Sequence, residues 1–234
     1  MRQNMQVKKA MHGRSATTCD YILEKQLSTI QPKSIVDFGA GAGKNGELVR
    51  KVLGKSIYIM AVEGHDITAK MLCERGLYNE IYSGLISDWL IENTNIYDLA
   101  LFGDVLEHLK PRDIHKVIKE CYKYFKNIIV VCPLHSIFNE DRINNPLEDH
   151  KTYITENYFN RYTPYEKHII RDSGYTMMNV NISTERINQN TFRLFAMDIF
   201  HISMITLQPF GLAKPYAETI KKISDAIKKF IGNG

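Results

Sequence analysis

The sequence predicts an α/β fold: a doubly wound, mostly parallel sheet with helices on both faces, a C-terminal antiparallel strand pair and an appended helix. Three observations predict it. Short apolar runs alternate with helical stretches from Ser34 to Cys132, which is the rhythm of βαβ units. A glycine-rich turn, Gly39-Ala40-Gly41-Ala42-Gly43, joins the first strand to the helix that follows it. The polar residues with chemical potential fall just after strands, the edge at which doubly wound sheets bind ligands.

Residues 1–15 are polar and basic and read as a flexible N-terminus. Residues 17–29 carry Tyr21, Ile22, Leu23 and Leu27, which suits a short helix. Ser34–Phe38 is a buried strand, residues 46–53 a helix, 56–62 a strand and 67–75 a helix. Glu80–Ser83 is a short strand, followed by a helical turn over residues 88–92. Residues 97–102 are a strand, 112–125 a helix, and 127–132, NIIVVC, an unbroken apolar strand. A polar stretch rich in Asn and Asp follows over residues 135–150, and a stretch of that length points to function.

Residues 156–173 predict a helix, with Thr163 as its cap, Pro164 at its first position and Gly174 as its stop. Tyr175–Ser183 and residues 191–199 predict the antiparallel strand pair. Residues 214–231 predict a helix whose apolar residues, Ile220, Ile223, Ile227, Phe230 and Ile231, share one face. That helix is expected to pack on the domain or on a second copy of the chain; peripheral membrane contact through its lysines is the weaker reading. One domain over residues 1–200 and a helical extension over 201–234 are therefore expected.

The chain has 234 residues, 44% apolar and 24% charged, with a net charge of +4. This composition is ordinary for a globular protein, and the charge excess is too small to argue for nucleic acid. The four cysteines form no CxxC pair, so a zinc site or disulfide framework is not expected. No run of about 18 apolar residues exists. A cytoplasmic protein is the expectation.

The glycine turn points to a nucleotide-type ligand, because its amides open onto a helix start. Gly41-Ala-Gly43-Lys-Asn-Gly46 also satisfies GxGxxG, with Glu63 twenty residues past Gly43. A dinucleotide-dependent oxidoreductase is thus one reading. Asp37 argues against it, since a carboxylate just before the first glycine would repel a pyrophosphate. The same carboxylate favours an amino group and a sulfonium. Glu63 ends the second long strand, where a carboxylate can accept both hydroxyls of a ribose.

With Asp37-Phe-Gly39-Ala40-Gly41-Ala-Gly43, Glu63 and the later segment FGDVLEHL (residues 102–109), the chain resembles the class I S-adenosylmethionine (SAM)-dependent methyltransferases over residues 17–183. The resemblance implies methyl transfer from SAM, with S-adenosylhomocysteine (SAH) as product, to an oxygen or nitrogen of a small molecule or glycan precursor. It implies cofactor contacts from Asp37, Gly39, Ala40, Gly41, Gly43, Glu63, Gly64, Leu85, Gly103 and Asp104. Leu85 stands where many members place an acidic residue for adenine. Asp104, His108 and His135 are the catalytic candidates, as base or as positioning groups. His150 and Tyr153 are candidates for acceptor contact. Asp104-x-x-Glu107-His108 also resembles the metal motif of small-RNA 2′-O-methyltransferases, with His150 as a further ligand. A divalent metal is not favoured, because spacing alone is weak evidence, and no residue is assigned to one. A non-catalytic SAM-binding module is the remaining alternative.

Overall fold

The computed structural model describes residues 17–135, 146–172 and 175–184. The elements run α1 (Asp20–Ile30), β1 (Ser34–Phe38), α2 (Lys44–Leu53), β2 (Tyr58–Glu63), α3 (Asp66–Arg75), β3 (Glu80–Ser83), α4 (Ile86–Glu92), β4 (Tyr97–Gly103), α5 (Pro111–Tyr124), β5 (Phe125–Pro133), β6 (Glu166–Asp172) and β7 (Tyr175–Ser183). Short 3₁₀ turns cover Leu106–His108, Pro146–Glu148 and Tyr158–Tyr162.

The seven strands form one sheet in the order β3-β2-β1-β4-β5-β7-β6. Strands β1 to β5 pair in parallel, and β7 runs antiparallel to both β5 and β6. The order reverses direction at β1 and β4, so the carboxyl ends of these two strands flank a crevice. Alternation along β1 divides the core. Val36 and Phe38 face a layer in which Phe38 stacks on Phe102 at 4.7 Å and meets Trp89 edge-on at 5.3 Å. Ile35 joins the opposite layer with Leu23 and Leu27 of α1 and Leu48 and Val49 of α2. Asp37 shares that second face by parity, so its carboxylate enters a layer that is mostly apolar.

Two expectations change. The described part of the stretch over 156–173, residues 156–172, is not an α-helix. Thr163 closes the Tyr158–Tyr162 turn with a left-handed φ of 47° instead of opening a helix, and Glu166–Asp172 is a strand. The reason is tertiary. The pair Ile169-Ile170 suits a pleated edge, and seven residues of β6 register against β7. The antiparallel partner of Tyr175–Ser183 is accordingly β6. On its other side β7 pairs with β5. The N-terminus over 1–15, the strand over 191–199 and the helix over 214–231 lie outside the described residues. Among the described residues no helix is long and apolar enough to cross a membrane.

Candidate functional site

The glycine turn leaves β1 at Gly39, and Gly39, Gly41 and Gly43 take φ values of 64°, 52° and 84°. Gly39 has a second reason to be glycine: an added Cβ would lie 2.5 Å from Val105 Cγ2. We expect Gly39→Ala to cost about 2–4 kcal/mol, combining left-handed strain with overpacking. Urea unfolding of the purified variant reads this directly.

Asp37 is 1% exposed. Its Oδ2 accepts the Tyr78 hydroxyl at 2.7 Å, and its Oδ1 accepts the Asn45 side-chain amide at 3.1 Å. Burial pushes its carboxyl up to about 6; the two hydrogen bonds oppose that rise, and the nearby Glu63 charge adds to it.

Glu63 closes β2, and its carboxylate is fixed by two backbone amides. Oε2 accepts the Gly41 N–H at 2.8 Å, and Oε1 accepts the His65 N–H at 2.9 Å. Burial raises its pKa, while the two amides hold it down. Each oxygen keeps a further lone pair. Beside it, a Cβ on Gly64 would lie 2.8 Å from Leu147 and 3.5 Å from Leu85. Leu85 and Leu147 are 47% and 36% exposed, so two apolar side chains lie on Gly64, the residue after Glu63.

Beyond β4, Asp104 has a left-handed φ of 55° and donates its backbone N–H to the Val131 carbonyl at 2.9 Å. The following turn buries Glu107 to 1% exposure. Burial first, then the Asp104 charge, raises the Glu107 carboxyl well above the usual range. His108 and His150 meet edge to face, with ring centroids 4.8 Å apart. Burial, the largest influence, lowers the His108 pKa, so its imidazole is neutral at neutral pH. His150 reaches this turn because the Lys151 and Thr152 amides both donate to the Glu107 carbonyl, at 2.8 and 3.0 Å. Three buried atoms here have no hydrogen-bond partner: Glu107 Oε2, His108 Nδ1 and His150 Nδ1. Ligand atoms of these three residues lie within 4.8 Å of one another.

Beyond β5, His135 also takes a left-handed φ, 58°. Its backbone N–H donates to the Ile154 carbonyl at 3.0 Å, and its Nδ1 sits 3.0 Å from the Tyr153 hydroxyl. The segment from His150 to Ile154 is therefore tied to both the post-β4 and post-β5 turns.

No family model matches this chain, and no curated protein does. Solved structures do match. The N-terminal domain of EvdMO1, determined with SAH and D-fucose, aligns with a TM-score of 0.53 at 12% identity, over 74% of this chain and 84% of that one. A SAM-dependent methyltransferase from Archaeoglobus fulgidus gives 0.51 at 14%, over 70% and 94%. The methyltransferase domain of bacterial CtHen1-C gives 0.53 at 16%, over 71% and 97%. The fold is that of the class I SAM-dependent methyltransferases.

In this methyltransferase fold, Gly39, Ala40, Gly41, Gly43, Glu63, Gly64, Leu85, Gly103, Asp104, His108 and His135 all lie at the carboxyl edge of the parallel strands or in the turns just beyond it. Sequence reasoning missed Tyr78 and Leu147. One signal for Tyr78 existed in Gly46. A Cβ there would come within 2.6 Å of the Tyr78 ring and hydroxyl, so the last glycine of the apparent GxGxxG makes room for a phenol. Leu147 left no periodic signal, because it lies in an irregular stretch.

Proposed function

We propose that this chain transfers a methyl group from SAM to a hydroxyl or amine of a small molecule or glycan precursor. The observation that carries the reading is the Glu63 carboxylate. It is buried at the end of β2, tied by Gly41 and His65 amides to the glycine turn, and retains lone pairs for two ribose hydroxyls. The turn from Gly39 to Gly43, with Gly103 and Asp104, borders the methionine part of SAM, with Asp37 behind it as the counter-charge. Leu85 and Gly64, joined by Leu147, flank the adenine.

Methyl transfer from a sulfonium depends chiefly on alignment of nucleophile, methyl and leaving sulfur. A base is needed only where the acceptor keeps its proton. Neutral His108 suits that task, and Asp104 and His135 orient the acceptor. D-fucose in the EvdMO1 structure favours a sugar-like acceptor here. Residues 201–234 are read as an extension to this unit.

Calorimetry with SAH and with NADH tests the reading. Saturable SAH binding and no NADH binding are expected; the reverse pattern would leave the oxidoreductase reading standing. A methyl-transfer screen over sugars and nucleotide sugars, with His108→Ala as the control, then identifies the acceptor.

A second reading concerns a metal. Glu107, His108 and His150 present converging ligand atoms, and each of the three also carries a buried side-chain atom without a hydrogen-bond partner. One carboxylate and two imidazoles suit Mn²⁺, Fe²⁺ or Zn²⁺ better than Mg²⁺. An ion held there supplies a Lewis acid beside the acceptor. Geometry thus favours a metal that sequence spacing did not.

A further inference from the structure

Tyr78 precedes β3, on the turn that leaves α3, and belongs to none of the motifs that define the site. It is 9% exposed. Its hydroxyl donates to Asp37 Oδ2 at 2.7 Å. Its ring and hydroxyl also lie against Gly46, where an added Cβ would come within 2.6 Å of them, in the first turn of α2, whose amides lack intrahelical partners. One phenol therefore joins the end of β1 to the start of α2, and the glycine turn is the chain between those two points.

The rest of this turn supports the same loop. Arg75 donates to the Ala42 carbonyl and to Glu47. A Cβ on Gly43 would lie 3.0 Å from both Leu72 and Leu77. Asn45 secures the second Asp37 oxygen from α2 itself, and a Cβ on Gly103 would lie 2.5 Å from the Asn45 amide nitrogen. Two side chains thus pass close over two glycines to reach one buried carboxylate.

We propose that Tyr78 is a positioning residue for the cofactor, holding the Asp37 carboxylate and the first turn of α2 in the arrangement that accepts the cationic part of SAM. The inference rests on the methyl-transfer reading above and adds a residue to it. The groups facing Asp37 are Tyr78, Asn45 and, by charge, Glu63. Those facing Tyr78 are Asp37, the Gly46 amide and, by charge, Arg75. Tyr78 supplies the larger of the two hydrogen-bond effects that keep Asp37 ionised against burial.

The test is SAH affinity from pH 5 to 9 for the wild-type chain, Tyr78→Phe, Asp37→Asn and the double variant. Wild-type affinity is expected to fall as pH drops through about 6, where Asp37 takes up a proton. Phenylalanine keeps the ring over Gly46 and removes the donor. Tyr78→Phe should therefore move the midpoint upward. A hydrogen bond to a charged group is worth a shift of about one to two pH units, so at pH 7 the variant should weaken SAH by about two- to ten-fold and at pH 9 match wild type within about two-fold. On Asp37→Asn, which has no charge to hold, its effect should be smaller than on wild type at pH 7 and independent of pH.

A carbon-detected titration of the Asp37 carboxyl in the unliganded variants reads the same upward shift without the cofactor. If Tyr78→Phe follows wild type at every pH, or weakens SAH equally across the range, or leaves the Asp37 titration unmoved, the inference is overturned and the methyl-transfer reading stands. If the wild-type chain binds no SAH at any pH, both fall.

Discussion

Asp37→Asn is expected to stabilise the unliganded protein at pH 7.5 and to weaken SAH binding in the same step. The carboxyl sits at about 6 in the folded chain against 3.8 for an unperturbed one. Its folded pKa is raised, so folding takes up a proton between these values. The favourable contribution is complete below about pH 4 and is lost as pH rises through 6. Above that, the buried charge costs about 3 kcal/mol, at 1.36 kcal/mol for each pH unit. Asparagine carries no charge and still accepts from Tyr78. Chemical denaturation should give a gain of about 1–3 kcal/mol at pH 7.5 that shrinks to near zero at pH 4. SAH affinity should drop about 10- to 100-fold, because a cationic group loses its counter-charge. A variant less stable than wild type at pH 7.5 would mean that the bonds from Tyr78 and Asn45 outweigh the buried charge.

The second large effect is thermal stabilisation by a divalent ion. An ion that binds the folded chain at one hundred times its Kd stabilises by about 2.7 kcal/mol. In a chain of this length that corresponds to roughly 5–11 °C. Mn²⁺, Fe²⁺ and Zn²⁺ are to be titrated against chelator-treated protein, with Mg²⁺ as the comparison. Wild type should show the shift. His150→Ala should lose it, because that variant removes the one ligand that comes from outside the post-β4 turn. Glu107→Gln should lose most of it while keeping the shape of the buried side chain. An unchanged melting temperature with every ion would remove the metal reading and leave SAM binding untouched.

Much of this molecule is legible in its sequence. Ser34–Phe38, Glu80–Ser83 and Tyr175–Ser183 were bounded to the residue, because each is a compact run flanked by turn-forming or polar residues. Glu63, Asp104 and His108 stood out because a doubly wound sheet delivers strand ends to one edge. Residues 166–172 misled, since local signals at Thr163 and Pro164 favoured a helix, while the strand depends on β7, which follows it. Glu107, His108 and His150 could be named from the sequence. Their convergence could not, because it depends on two amides donating to the Glu107 carbonyl across more than forty residues of chain. Tyr78 left only the indirect signal of Gly46 for the same reason: its partner Asp37 is 41 residues away, and Gly46 lies in α2.

The contact between Tyr78 and Gly46 has a meaning for descent as well as for chemistry. Since a methyl group at 46 and a phenol at 78 would compete for one space, neither position is free to drift alone. A lineage that trades Gly46 for alanine has first to shrink residue 78, and a lineage that keeps tyrosine inherits glycine as a condition. Asn45 and Gly103 form a second such pair. Correlated change at 46 with 78, and at 45 with 103, would be the trace of this geometry among descendants of a common ancestor, and it would persist even where the methyl acceptor has changed.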